Sequence, residues 1–395
     1  MMTLRDAKKN VKHAYLLMFM SEFYLPISIW LYFFSDFLSF REIAILTSIQ
    51  VLSGVIFELP TGAIADLIGR KLSLLLSFAI SAIALLMYGS IKSFEVFAVL
   101  EVFRGLGNAF YSGTLEAVVY DSLEETKTEN TYDKIVANQE SLVWIALFGG
   151  AILGGYLFNW YKPLPYLAQG VLYLFTLPLI WTMTEPARKK RLVNALEFVK
   201  QNLRGMRELF KTSKLSIWSG FFIIIGLGYF ASASILGISQ AKEMNLDSRG
   251  VGYLFGFGYL LSAVASQAYP RLKKIFGERI LLLVLATTLI SSLLFARFVG
   301  LVGGSLLILT RIASSTTFRN LRSSVINKLI SSDNRASALS ALALLTSLPY
   351  AISAFALGEY IDMTSANHLA FLLGLIILIL VGLLQAGYGL SKILR

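Results

Sequence analysis

Several ionisable side chains stand where the sequence is otherwise apolar, and they are the groups that could do chemistry. Glu22 lies between Ser21 and Phe23, almost three helical turns from its nearest basic neighbour, Lys12. A carboxyl kept from water favours its neutral form and ionises when water reaches it, which is the physical basis of a proton carrier. A structural acid hydrogen-bonded to a neighbouring helix is the alternative role. Glu101 and Arg104 sit at i and i+3, on one face of a helix. They form either a self-satisfied pair or, with Glu22, a set that couples proton movement to another process. Arg311, followed by Ser314, Ser315, Thr316 and Thr317, is the basic group deep in the C-terminal half. It could hold an anionic group, counter a carboxylate, or join helices. Glu58, Glu116 and Glu140 fall nearer the ends of their apolar runs and suit gate or scaffold roles.

The elements that must hold these groups are apolar helices. Of the 395 residues 56% are hydrophobic and 15% charged, against roughly 25% charged in a soluble domain. Mean hydropathy is +0.68. A helix crosses the ~30 Å hydrocarbon layer with roughly 20 apolar residues. Runs of that kind cover 11–34, 43–61, 72–91, 94–120, 135–158, 164–183, 215–240, 251–269, 280–295, 301–326, 336–360 and 369–390. They are apolar on every side, as 281–295 shows, where barrel strands would alternate. The reading is an all-α polytopic membrane protein with twelve transmembrane helices in two pseudo-symmetric bundles of six, 1–184 and 215–395, joined by a linker at 185–214.

The net charge of +11 raises the question of nucleic acid. Lys and Arg concentrate in alternate loops, however, as the positive-inside rule requires, with both termini cytoplasmic. No aromatic-basic interleaving supports a nucleic-acid face. The partners read from the sequence are therefore the lipid bilayer, a small-molecule substrate and protons, with no nucleic acid. Within the linker, Leu192, Leu196, Val199, Leu203, Met206 and Phe210 recur at helical spacing among Arg188, Lys189, Lys190, Arg191, Lys200, Arg204, Arg207, Lys211 and Lys214. An amphipathic helix lying on an anionic leaflet fits that pattern, as does a solvated tether. Cysteine is absent, and His13 and His368 stand near opposite ends of the chain, so no metal cluster is visible. No Gly-x-Ser-x-Gly, paired zinc-ligand histidines or phosphate-binding loop with Lys suggests an enzyme or an ATP-driven pump.

The two halves rhyme at an offset of about 207 residues, the spacing from Arg104 to Arg311. The polar loop around Asp66, Gly69 and Arg70 likewise falls opposite Arg271, Lys273, Lys274 and Gly277. That loop reads Gly62-Ala63-Ile64-Ala65-Asp66-Leu67-Ile68-Gly69-Arg70-Lys71. It resembles the signature loop of the major facilitator superfamily (MFS), at the expected place between the second and third spans. Leu100-Glu101-Val102-Phe103-Arg104-Gly105-Leu106-Gly107 resembles a second signature, an intramembrane Arg followed three residues on by Gly. Gly149-Gly150-Ala151-Ile152-Leu153-Gly154-Gly155 is similar to the antiporter motif, with Ala151 where the family has proline. Gly150, Gly154 and Gly155 would still permit close helix packing.

The resemblance implies a secondary transporter working by alternating access, monomeric and without a cofactor other than a proton gradient. The drug:proton antiporter-like branch suggests proton-coupled efflux of amphipathic compounds. A bacterial inner membrane is the expected location. A proton-coupled importer or facilitator of a metabolite, anionic in view of Arg104 and Arg311, is the alternative within transport, and lipid flipping is the alternative of another class. In the family the loop Asp faces the start of the eleventh helix and the loop Arg pairs with an acid ending the fourth. The matching positions are Asp66, Arg70 and Asp121, with Gly62, Gly69 and Lys71 completing the gate motif. Tyr24, Trp30, Trp144, Tyr229 and Tyr350 are candidate cavity aromatics.

Asp66→Asn or Arg70→Ala should impair transport while leaving expression and ligand binding intact, because the motif stabilises a gate state and not the site. Site-directed crosslinking should show a shifted conformational population in both; normal transport in both variants refutes the gate role.

Overall fold

The computed structural model describes residues 2–90, 92–187 and 195–388. Among the described residues fifteen α-helices follow one another: α1 Leu4–Glu22, α2 Trp30–Phe34, α3 Phe40–Ile68, α4 Arg70–Met87, α5 Phe94–Tyr111, α6 Thr114–Glu125, α7 Tyr132–Trp160, α8 Leu164–Trp181, α9 Ala195–Leu209, α10 Ser213–Ala231, α11 Gly237–Glu243, α12 Ser248–Leu294, α13 Leu301–Leu329, α14 Ser332–Met363 and α15 Ala366–Tyr388. No strand occurs among the described residues. Nine stretches of the described residues are long and apolar enough to cross a membrane. One of them, Ser248–Phe298, contains α12, whose 47 residues would extend about 70 Å, more than twice the ~30 Å hydrocarbon layer. Gly277, at φ 71° and ψ 166°, breaks it between the two runs expected there. The expected spans outside the nine are 11–34 and 94–120, and both are interrupted.

The causes of these interruptions are local. α1 stops at Glu22, and a 3₁₀ turn, Leu25–Ser28, follows before α2. Pro26 lacks an N–H and disfavours helical backbone in Leu25 before it, so the first span cannot continue straight through. The span expected at 94–120 is divided into α5 and α6 by Gly113, at φ 69°. Within the span expected at 215–240, one π-helical turn, Ser232–Leu236, joins α10 to α11.

The chain forms two compact units. One contains Met1–Leu38, Leu46–Ala195 and Ser248–Gly256. Its core is α4, which buries Leu74, Phe78, Ala82 and Leu85 against α5 and α8. Small residues set these approaches. A Cβ on Gly107 would stand 2.3 Å from the Ser81 Oγ, and one on Gly170 would stand 2.7 Å from Leu86. Ser248–Gly256 belongs here through Gly252, whose Cβ would lie 2.7 Å from the Ala151 carbonyl, and through the 2.6 Å hydrogen bond between the Tyr156 and Tyr253 hydroxyls. At the end of α6 the Glu125 carboxylate accepts the backbone N–H groups of Ala187 and Met2, which hold it below the usual carboxylate range.

The second unit contains Ser39–Ile45, Leu196–Asp247 and Phe257–Arg395. Its core is α10, with Trp218, Phe221, Phe222, Ile225 and Tyr229 buried against α13, α14 and α15. The start of α3 belongs to this unit because Asp362 caps it, accepting the Phe40 and Arg41 N–H groups at 2.9 Å each. α9 occupies the linker. Its Gly205 is set close to the Ser337 carbonyl and Leu209 is buried, while Leu203 and, just past its end, Phe210 stay exposed. The linker residues 188–194 lie outside the described residues. Lys273 bonds to Glu278 at 3.0 Å and to the Ser324 hydroxyl at 2.6 Å, and the Glu278 contact holds its ammonium above the ordinary lysine range. Outward-facing Ile83, Val99, Phe175, Val264, Val302 and Ile352 present apolar surface suited to lipid.

Close approach is tightest between α7 and the broken first span, where a Cβ on Gly154 would fall 1.8 Å from the Leu25 carbonyl oxygen. Gly154→Ala should therefore destabilise by about 1–3 kcal/mol, since a backbone group cannot rotate away. Gly382→Ala, with open space around it, should leave the thermal midpoint unchanged. Equal midpoints for the two variants in lipid nanodiscs would contradict this packing.

Candidate functional site

The break in the first span draws polar groups from α7 and α8 of the first unit. The Leu25 N–H, lost to the helix, is accepted by the Gln169 side chain of α8 at 2.9 Å, and the Gln169 amide donates back to the Met20 carbonyl at 3.3 Å. Ser28 donates to the Ala151 carbonyl at 2.9 Å. α7 reaches the break through glycines: a Cβ on Gly149 would strike the Phe23 ring at 2.8 Å, and one on Gly150 would stand 3.0 Å from the Tyr24 nitrogen. Gly155 faces the Ser248 carbonyl instead. With Ala151 in the family's proline position the motif keeps α7 helical throughout, and its glycines receive the unwound backbone of the neighbour.

Glu22 is the last residue of α1, half-buried at the edge of the break and within electrostatic reach of the Tyr111 and Tyr173 hydroxyls. Across from it stands the buried ion pair on α5, a helix started by Ser93, whose hydroxyl accepts the Val96 N–H. Arg104 Nη1 donates to both oxygens of Glu101, at 3.1 and 3.2 Å. The Tyr88 hydroxyl donates to the same carboxylate at 2.6 Å. The guanidinium lies over the Tyr24 ring, 5.3 Å from its centroid. Tyr88 in turn stacks on Tyr166 at 4.8 Å and on Phe97 at 5.7 Å, and Phe33 and Phe34 close the aromatic wall. The hydroxyls of Tyr24, Tyr111 and Tyr166 are buried without hydrogen-bond partners. The site thus sets a carboxyl at the edge of a broken helix beside a largely buried ion pair and a cluster of aromatic rings.

A second cluster surrounds the loop after α3. Gly69 adopts φ 103°, a conformation that L side chains rarely take, and turns the chain into α4. Glu185 caps that helix from beyond α8: its two oxygens accept the Arg70 and Lys71 N–H groups at 2.8 Å each. Arg70 Nε stands 3.9 Å from Asp121, and the Lys71 ammonium lies over the Trp181 ring. Gly62 has open space around it, and the Asp66 side chain lies outside the described residues.

The structure thus brings together Glu101, Arg104 and Tyr24 near Glu22, and separately Arg70 and Asp121. Trp30 opens α2 and Trp144 lies on α7, both half-buried. Tyr229 and Tyr350 are core residues of the second unit, packed against Phe318 and Phe230 respectively. Arg311 also lies there, 2% exposed. Glu58, Glu116 and Glu140 are exposed. Sequence reasoning missed Tyr88, Tyr166, Gln169 and Glu185. Pro26 was the signal that a backbone break needed partners, and Gln169, an amide inside an apolar run, was one of them.

The family model for the Major Facilitator Superfamily matches residues 14–354. The chain belongs to that superfamily. It is an integral membrane protein and not an enzyme. A curated relative, the uncharacterized MFS-type transporter YxaM of Bacillus subtilis (strain 168), is 24% identical over 254 residues. That match spans 62% of this chain and 62% of the relative, less than two thirds of either. Among solved structures, the nucleoside transporter NupG aligns with a TM-score of 0.78 at 12% identity, covering 97% of this chain and 99% of that one. A bacterial homolog of the human lysosomal transporter Spinster aligns at 0.73 and 13% identity, covering 98% and 97%. A D-xylose-proton symporter aligns at 0.68 and 13% identity, covering 95% and 97%. At these identities the likeness shows a shared MFS fold.

For this MFS member, breaking a buried ion pair by removing one partner costs about 3–5 kcal/mol, because the other charge is left uncompensated. Glu101→Gln and Arg104→Gln should each lower the thermal midpoint, and the double variant should recover much of the loss. A double variant no more stable than the worse single would show that Arg104 is held by something other than Glu101.

Proposed function

We propose that this superfamily member exports a small amphipathic solute by alternating access, driven by protons that load and leave Glu22. The observation that carries the reading is the position of Glu22, at the edge of a discontinuous first span and in electrostatic contact with tyrosine hydroxyls. Broken helices expose backbone and side-chain polar groups at membrane depth, which is where transporters place their sites. Arg104 already has its counter-charge in Glu101, with Tyr88 bonded to the same carboxylate. The half-buried rings of Tyr24, Trp30 and Trp144 suit a solute with an apolar body. The Lys and Arg content of the termini and of the loop carrying Arg70 supports a cytoplasmic side for them.

Glu22→Gln, permanently neutral, should abolish pH-gradient-driven flux while solute exchange across proteoliposomes survives. The assay is accumulation of an amphipathic dye in inverted membrane vesicles, with and without an imposed gradient, normalised to folded protein. An undiminished gradient response in this variant moves the proton site elsewhere, with Glu101 next to be tested.

A further inference from the structure

The two halves carry equivalent features at the offset that separates Arg104 from Arg311. The 3₁₀ turn Leu25–Ser28 of the first span corresponds to the π-helical turn Ser232–Leu236 of the seventh. The corner glycines Gly69 and Gly277 correspond within one residue and share positive φ with extended ψ. Each half therefore sets an arginine near one irregular helix, half-buried in the first and buried in the second, and π turns recur at functional sites.

The electrostatics of the two arginines differ. Arg104 has Glu101 three residues before it, whereas the equivalent position before Arg311 is Ile308, itself 2% exposed. Arg311 Nη2 donates to the side-chain oxygen of Gln240, which follows the π turn, and the Gln240 amide donates to Asn367 Oδ1 at 2.8 Å. The Asn367 N–H goes to Glu243 at 3.0 Å, so the nearest acid in this chain of bonds is two residues removed from the guanidinium. Nε and Nη1 of Arg311 are buried with no hydrogen-bond partner, and among the described residues no carboxylate pairs with it. Tyr229, in electrostatic contact with Arg311, spends its hydroxyl on the Leu285 carbonyl at 3.2 Å. A buried cation with two unused donors and a neutral amide for company lacks one thing, a negative charge.

We propose that Arg311 is an anion subsite, and that the solute of this transporter is an amphipathic anion whose carboxylate-like head pairs with the unpartnered side of the guanidinium. The inference rests on the transport reading above for its solute, but the anion site itself rests on Arg311 alone. The planar guanidinium keeps its charge when desolvated and holds several N–H donors in fixed directions for a carboxylate, which a lysine ammonium does not reproduce. Gln240 then positions the guanidinium without neutralising it.

The test uses the full chain in lipid nanodiscs and matched probes: octanoate and benzoate against octanamide, benzamide and octylamine. Thermal stabilisation of the wild type by the two anions and not by the amides or the amine is the expected result. Arg311→Gln should raise the anion concentration needed for half-maximal stabilisation by about tenfold or more, with Arg311→Lys between. Equal stabilisation of Arg311→Gln and wild type by the anions overturns the proposal, and so does a wild type that neither anion shifts. If Arg311→Gln fails to fold, Arg311→Lys and Gln240→Glu replace it. Gln240→Glu supplies the missing charge internally and should abolish the anion response, and an undiminished response there overturns the site. Proteoliposome flux separates the two readings. Gradient-driven export of octylamine but not octanoate keeps the transporter and refutes the anionic solute. Arg311-dependent stabilisation by octanoate with no gradient-driven flux of any probe keeps the anion site and refutes proton-coupled export.

Discussion

Hydrocarbon offers no hydrogen bonds, so a helix that stops inside it must find partners for every group it releases. The break at Phe23 to Ile29 is where that demand is strongest, and the first unit is organised to meet it. Gln169 answers the Leu25 N–H and the Met20 carbonyl together, and Ser28 spends its hydroxyl on α7. The glycines of α7 are then required rather than decorative, because only a chain without Cβ can lie against the exposed carbonyl of Leu25. Tyr24, turned out of helical geometry, is left with its ring free to cover Arg104. A single proline thus propagates into the glycine pattern of one helix, the amide in another and the aromatic neighbour of a buried charge.

The charged groups follow the same economy with different solutions in each unit. In the first, Arg104 is compensated by Glu101 three residues away on its own helix, and that carboxylate also accepts the Tyr88 hydroxyl from the end of α4. In the second, the pseudo-symmetric arginine is held by a neutral amide. The repeat conserves backbone geometry, as Gly69 and Gly277 show, and lets the chemistry diverge. At the surface, the carboxylate of Glu185 sits on the N-terminus of α4 and keeps the Arg70 loop attached to the end of α8.

How much of this was legible in the sequence depends on the length scale of its cause. Long apolar runs set helices, and the all-helical membrane fold of the superfamily was readable from them and from the Asp66 to Lys71 loop. The pairing of Glu101 with Arg104 was readable too, since i and i+3 are neighbours on any helix. Tyr88, Tyr166 and Gln169 were not, because their contacts span 13 to 144 residues and look like ordinary helix composition in one dimension. The interruptions were half legible: Pro26 and Gly113 are local signals overridden by the hydropathy that made 11–34 and 94–120 read as continuous. The π turn at Ser232–Leu236 carries neither proline nor positive φ and left no such mark.

The contact of Gly154 with Leu25 has a mechanical meaning. Side chains that touch can change rotamer and so absorb sliding, whereas a main chain pressed on a main chain has no such slack. α7 and the 3₁₀ turn of the first span are in effect riveted, and strain arising at one is delivered to the other undiminished. Compliance within the first unit must come from joints with free volume. The Ser112–Gly113 joint between α5 and α6 is one, exposed and with no atom near the missing Cβ of Gly113. Stiffness is thereby concentrated beside Glu22, and pliancy lies just beyond Tyr111, whose hydroxyl senses that same carboxyl.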